Sequence, residues 1–422
     1  MRLTLPQAID LAIKQNRSLG LARLSVTDYE HKKEEAHSAY LPQIKNESGV
    51  LHITELSGVE IPVGTFGDTQ VTGPIPGQTL FIDQGALTTY TSGTGLAQPL
   101  TQMFKIRQSN RAADADIKTA KIQVDQAEDD VTFKVRQLYY ALLIAQLKEQ
   151  AAVDEISASQ VKDQEAQDAV ANGSALDIAV LESRAGLLDA KQASLTQRLQ
   201  IHSLSLSLND LLGVPLNTQL ELESDASVAS LSVPSREECI HIAEDNSPEI
   251  RVAQQSVEKA KAGLAAAKDA YIPDVTALAR YSYQSGVPFL VHNFGTFGFS
   301  FTYDLFDGGR REAEVKDSRT LLSQAELNLV KVKEEVTVQV ETAYDKVEQL
   351  QSMVDVADQA LKVRTEAARL SDLQFEQTAA LASARAEAHA KVLSTRASYL
   401  EATLDLSLAQ ADLKRTIGQS PR

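Results

Sequence analysis

From Leu322 to Leu361 apolar side chains recur in alternating steps of three and four: Leu322, Ala325, Leu329, Val332, Val336, Val340, Ala343, Val347, Leu350, Val354, Ala357 and Leu361. The spacing predicts a helix with one apolar seam over about five heptads, relaxed by a single four-residue stutter. Shifted by 205 positions, the seam returns as Ile117, Ala120, Val124, Ala127, Val131, Val135, Leu138, Leu142, Ala145, Glu149, Ala152 and Ile156. Only Glu149 breaks it. Two copies of one coiled-coil pattern, stutter included, mean an internally duplicated chain.

The duplication extends upstream. Leu5 to Tyr40 reads as a helix that stops at Leu41-Pro42, because the residue before a proline is pushed out of the α region. Adding 231 aligns Ile9 with Ile240, Ala12 with Ala243, Ala22 with Ala253, Tyr40 with Tyr271 and Pro42 with Pro273, all identical and without a gap. After each Tyr-x-Pro the period changes from helical to two. Phe297, Phe299, Phe301, Tyr303 and Leu305 alternate with Thr296, Gly298, Ser300, Thr302 and Asp304, a strand with an aromatic face and a small polar face. Val275, Ala277, Ala279, Tyr281 and Tyr283 form its expected partner. Copy one carries weaker strands near Ile44–Leu56 and Leu87–Gln98. Because the repeat offset falls from 231 to 205 across them, 26 extra residues lie between Pro42 and Leu100, where the Gly- and Pro-rich stretch Ser57 to Gln78 is expected to form a long hairpin loop.

Each long helix is expected to run about 70 residues, on the order of 100 Å at 1.5 Å per residue. Copy one should turn at Asn172-Gly173-Ser174 and copy two at Gln377-Thr378-Ala379, with return helices near 176–212 and 381–417. The expected organisation is a first repeat over 1–213 with strands in 43–100, an equatorial linker over 214–234, and a second repeat over 235–422 with strands in 274–305.

Composition narrows the function classes. A formal net charge of −16 and no basic stripe exclude a nucleic-acid surface, and an acidic chain lining a pore would favour cations. Cys239, the only cysteine, stands where copy one has Ala8, which reads as a small core residue. There is no run of about 18 apolar residues for a transmembrane helix and no basic-then-apolar export signal at Met1. Either the protein is cytosolic, or this chain starts after a missing signal. Seven scattered His, with no His-Glu-x-x-His, Gly-x-Ser-x-Gly or phosphate loop, give no enzyme motif, and no cofactor or metal is expected. Asp307-Gly308-Gly309 lacks the rest of a phosphate fingerprint and reads as a bend from sheet to helix.

The aromatic strand suits a lipid-facing, lumen-lining β-strand, since no other element is left to cover such a face. Four strands cannot close a membrane barrel, and open edges are not tolerated in lipid, so copies must assemble; a dimer would give eight strands and a trimer twelve.

The chain resembles the TolC-like outer-membrane efflux proteins. The residues that carry this are Leu5-Pro6-Gln7-Ala8-Ile9 with Asn16 and their second occurrence around Glu237-Glu238-Cys239-Ile240 and Asn246-Ser247-Pro248-Glu249-Ile250. To these are added the repeated Ala-Tyr-Leu/Ile-Pro, Leu305-Phe306-Asp307-Gly308-Gly309-Arg310, Gly173 with Leu176-Asp177, and the closing Leu211-Leu212-Gly213 and Ile417-Gly418. The resemblance implies a mainly α fold with a small β part: duplicated long coiled-coil hairpins and four membrane strands, in a homotrimeric β-barrel and helical periplasmic tunnel. It implies a place in the outer membrane of a Gram-negative bacterium, among its lipids. It further implies a passive exit duct in efflux or type I secretion, docked to a periplasmic adaptor and an inner-membrane pump of the RND, ABC or MFS type.

Copy one departs from the family pattern with Gln98-Pro99-Leu100-Thr101-Gln102, and the positions of a carboxylate gate known in some relatives fall near Leu381 and Ala384. Candidates for the tunnel tip and adaptor contact are Gly173, Ser174, Asp177, Thr378, Arg385 and Glu387, each charge having solvated helix surface as its plainer reading. Candidates for the membrane face are Tyr281, Tyr283, Phe297, Phe299, Phe301 and Tyr303. A cytosolic coiled-coil scaffold is the competing reading, and leaves the aromatic strand unexplained.

Overall fold

Both seams become inner faces of long helices. In the computed structural model, which describes residues 1–82, 85–223, 233–287, 290–377 and 381–419, the chain divides into two units. Residues 1–28, 117–256 and 325–422 make the first, 29–116 and 257–324 the second, and four helices pass from one into the other. Thr378 lies outside the described residues.

In chain order the elements are β1 (Arg2–Leu3), α1 (Leu5–Gln15), α2 (Arg17–Ser38), β2 (Gln43–His52), β3 (Val59–Ile61), β4 (Asp68–Thr69), β5 (Gly73–Pro74), β6 (Leu80–Ile82) and β7 (Thr88–Pro99). Then come α3 (Met103–Ala171), α4 (Asp177–Leu212), β8 (Glu221–Leu222), α5 (Arg236–Asn246), α6 (Pro248–Asp269), β9 (Asp274–Ser285), β10 (Asn293–Thr302), α7 (Arg310–Glu376) and α8 (Ala382–Thr416). The long helices α3 and α7 have 69 and 67 residues. None of the described helices is long and apolar enough to cross a membrane.

The first unit holds two cores that match residue for residue across the duplication. One packs Ala8, Ala12, Val131, Val135, Leu142, Leu208 and Leu212; the other packs Cys239, Ala243, Val336, Val340, Val347, Leu413 and Ile417 at the equivalent positions. Cys239 is fully buried, and burial raises its thiol pKa, with Glu238 adding to the effect. Glu149, the interruption of the first seam, is held by Arg198 of α4 at 3.0 Å, so one seam position is filled by an interhelical ion pair.

The duplicated tyrosines have diverged. Tyr139 is buried with its hydroxyl near the carbonyls of Leu3 (3.0 Å) and Glu223 (2.7 Å), beside the small parallel pair β1–β8, which hydrophobic spacing did not reveal. Tyr344 instead lies under Arg236, whose guanidinium also reaches Glu341, Asp345 and Glu348.

The helix expected over Leu5–Tyr40 is two helices, parted at Asn16, and its copy is parted at the equivalent Ser247. Asn16 explains its own break. Its Oδ1 accepts from the Leu19 N–H at 3.1 Å, capping α2, while its Nδ2 donates to the Leu211 carbonyl at 3.0 Å. In copy two Pro248 takes the first position of α6, where a missing N–H costs nothing.

Each break is covered by a glycine ending a return helix. Gly213 has φ 71° and Gly418 φ 73°, and both close hydrogen-bonded C-caps. A Cβ on Gly213 would meet the Gln15 carbonyl oxygen at 2.9 Å, and one on Gly418 the Asn246 oxygen at 2.6 Å. Gly213→Ala or Gly418→Ala should therefore cost about 1–3 kcal/mol from the left-handed backbone alone, and more from the contact. Urea unfolding followed by helical circular dichroism checks this, with Gly20→Ala, where a Cβ meets nothing, as the control.

In the second unit four strands form one antiparallel sheet in the order β10-β9-β7-β2. The loop expected over Ser57–Gln78 is more structured than a plain hairpin loop: β3 pairs with β6, and β4 with β5.

Candidate functional site

Side chains alternate across a strand, so the register assigns each residue of the sheet to a face. Lys45, Gly95, Arg280 and Thr296 are paired in one row across all four strands, and Glu47, Gly93, Ser282 and Phe294 form the next row outward. Asp274, paired with Thr302, shares their parity. Hence Lys45, Glu47, Asp274 and Arg280, the Lys, Arg, Asp and Glu residues of these strands, all lie on one face.

The opposite face carries Tyr281, Tyr283, Phe297, Phe299 and Phe301, all exposed or half-exposed, with Phe297 93% accessible. This face is not aromatic throughout. On β2 and β7 it bears Asn46, Ser48, Ser92 and Thr94, which satisfy one another: Asn46 donates to Thr94 at 2.9 Å, and Ser48 meets Asn46 and Ser92 at 2.8 Å each. Polar groups bonded sideways in this way are tolerable next to hydrocarbon. The alternation identified in copy two gave no sign of this ladder, because in copy one the same positions hold small polar residues.

Tyr303 was expected on the aromatic strand but lies beyond the end of β10. The cause is Arg311, whose guanidinium stacks over Tyr303 (5.0 Å) and Tyr271 (5.4 Å), pairs with Asp307 at 2.7 Å and donates to the Asp304 carbonyl. This knot bends the chain from sheet to α7 through Gly308 and Gly309, both at positive φ. The Arg311 hydrogen bond, with the Arg311 and Gly309 backbone N–H groups assisting, holds the Asp307 carboxyl down to about 2.

A pKa lowered on folding adds stability above the unfolded value of 3.8, lost as pH falls through the folded value of about 2. Asp307→Asn should thus unfold at lower urea than wild type near neutral pH, and the gap should narrow below about pH 4. A gap that stays constant down to the lowest pH would detach the effect from this carboxylate.

In the first unit, α3 pairs with α4 and with α8, and α7 with α8. Asp163, buried on α3, accepts from Ser183 of α4 at 3.0 Å; Lys148 of α3 meets Glu401 of α8 at 2.7 Å; and Arg385 of α8 meets Asp372 of α7 at 2.7 Å. Gly173 ends α3 at φ 71°, with the Gly173 N–H on the Val170 carbonyl and the Ser174 N–H on that of Ala169, and the Ser174 hydroxyl also donates to Ala169. Asp177 is the first residue of α4, whose N-cap Leu176 provides no side-chain bond.

Arg385 is paired within the chain and remains about half exposed. Its partner Asp372 is also 2.9 Å from the His389 ring, and these two contacts, His389 foremost, lower the Asp372 pKa. Glu387 pairs with Lys391 one turn on, at 3.4 Å. The contact that joins the two hairpins here comes from a residue not foreseen: Glu165 of α3 accepts the Ser383 N–H of α8 at 3.0 Å, supplying the cap that Leu381 cannot. No local motif announces such a bond, since its partners are 218 residues apart. Among the described residues no group of His, Cys, Asp and Glu could hold a metal.

A family profile described as outer membrane efflux protein matches residues 8–214 and 239–419. Among solved structures, the CmeC outer membrane channel of Campylobacter jejuni is 16% identical, covering 99% of this chain and 87% of that one, with a TM-score of 0.77. The open-state MtrE outer membrane channel of Neisseria gonorrhoeae is 18% identical, with coverage of 99% and 89% and a TM-score of 0.75. The outer membrane protein VceC of Vibrio cholerae is 16% identical, with 99%, 96% and 0.73. At these identities the likeness is one of fold. The search of curated proteins returned no match.

Proposed function

The chain belongs to the outer membrane efflux protein family, and on that premise we propose that three copies form the outer-membrane exit duct of an efflux or secretion assembly. Each copy lends four strands to a twelve-stranded barrel and its long hairpins to a helical tunnel in the periplasm. The cargo is handed over by a periplasmic adaptor from an inner-membrane pump. Gly173, Ser174 and Asp177 are offered to the adaptor at the first hairpin's turn, with Arg385 and Glu387 on the second hairpin.

One observation carries this reading. The sheet gathers its Lys, Arg, Asp and Glu residues on one face and its Phe and Tyr residues, Phe294 excepted, on the other, and among the described residues no strand pairs with the outer side of β2 or β10. A charged inner face and an aromatic outer one are what a strand needs between water and hydrocarbon, and only closure satisfies the edges.

A second apolar surface supports joining to like copies. On α4, Leu181, Leu188, Leu195 and Leu199 are exposed, and α7 exposes Val356, Val363 and Leu370 seven residues apart. Both stripes have coiled-coil spacing and no partner helix within the chain among the described residues.

The test is the mass and conductance of detergent-extracted protein. A complex of three 45.8 kDa chains that opens ion-conducting pores in planar lipid bilayers is the expected result. A monomer that stays in solution without detergent and passes no ions would overturn it.

A further inference from the structure

We propose that Arg280 and Lys45 form a cationic belt inside the barrel that selects for anions, although the chain as a whole is acidic. The inference rests on the channel reading above and concerns the charge of what passes. Lys45 and Arg280 occupy the same row of the sheet, separated only by Gly95, on the face that carries the charged residues. Glu47, one row outward, is the nearby acid, and its contact with Arg280 spans 3.4 Å between largely exposed groups. The row and its neighbour therefore hold two cations against one anion per chain.

The sheet is built to hold Arg280 there. Its side chain lies flat across the adjacent strand at Gly93, where a Cβ would sit 2.8 Å from the guanidinium carbon. Gly93 is registered opposite Glu47, so the glycine lets the guanidinium cross β7 toward the carboxylate on β2. Asp274, the remaining acid of the face, lies six residues along β9 and is met by Lys105 at 3.6 Å, outside the row.

Closing three copies sets three Lys45 in one ring and three Arg280 in another, offset along the axis by roughly 6 Å because a row two strands wide climbs with the strand tilt. Twelve tilted strands about 4.8 Å apart enclose a lumen whose radius is on the order of 10 Å, similar to the screening length of about 8 Å at physiological salt. Fixed charge at the wall is then felt at the axis, and a charged ring in a low-dielectric wall concentrates the opposite ion. The cargo this belt favours is anionic or carries an exposed anionic group.

The experiment is the reversal potential of single open channels in planar bilayers under a KCl gradient. Arg280→Gln and Lys45→Gln should each raise the cation-to-anion permeability ratio by about twofold or more, and Glu47→Gln, which removes the acid and leaves both cations, should lower it. Opposite signs from neighbouring residues distinguish selection by charge from damage to the pore. Channels that conduct normally with the same reversal potential in all three variants would overturn the belt and leave the duct standing. Wild-type protein without any conductance would overturn the duct itself.

Discussion

Phe299→Arg is expected to abolish assembly in the outer membrane, whereas Ser300→Arg, one residue further along β10, leaves it intact. The two positions are adjacent in the chain and opposite in the sheet: Phe299 shares its face with Phe297 and Phe301, while Ser300 pairs with Thr276 on the face that bears Arg280. An arginine near the middle of a lipid-facing strand costs roughly 2–4 kcal/mol, and three copies triple it, which exceeds what a marginally stable fold can absorb. Facing water in the lumen, the same side chain remains solvated. Outer-membrane fractionation, with the trimer detected on unheated gels, reads the contrast. Equal loss for both variants would point to strand disruption, and equal tolerance would mean that the aromatic face does not meet lipid.

The other large effect lies in the duplicated cores. Leu208→Ala in the first and Leu413→Ala in the second should each destabilise the first unit by about 2–5 kcal/mol, because both leucines are almost wholly buried and their neighbours sit on rigid helices. The two clusters share no buried residue, so the double variant should come close to the sum of the single ones. Chemical denaturation of the solubilised protein measures all three. Leu199→Ala is a useful contrast, since Leu199 is 71% exposed within one chain and its loss should weaken assembly more than the protomer.

Hydrophobic spacing made the seams legible because burial in a two-helix contact depends on little else. Val131, Val135 and Leu142, and their counterparts Val336, Val340 and Val347, are buried as their steps of three and four imply. The period-two stretches were legible for the same reason in copy two, where bulky aromatics mark a face. They were weaker in copy one, where Asn46, Ser48, Ser92 and Thr94 replace shape with hydrogen bonds.

What escaped was whatever depends on one residue or on a distant partner. The break at Asn16 hardly disturbs the apolar period, since the chain resumes a helix at once; Pro248, sitting at the first position of a helix, was the available signal. Arg385 read as a solvated charge because Asp372 and His389 meet it only after α7 and α8 fold together. The cap that Glu165 gives α8 was invisible for the same reason. Glu149 looked like an error in the seam until Arg198 supplied its counter-charge.

The four-stranded sheet ends in two unlike borders. β10 offers Phe297, Phe299 and Phe301, whereas β2 offers Ile44, Asn46 and Ser48 on the same face. A protomer joined border to border with its own kind would set phenylalanine beside phenylalanine at one seam and amides beside hydroxyls at the other. Head-to-tail joining makes every seam identical, and a rotation repeated in one sense returns to its start. The unequal strands left by an ancient doubling thus give the ring its direction of travel, so that a subunit can be added in one orientation only.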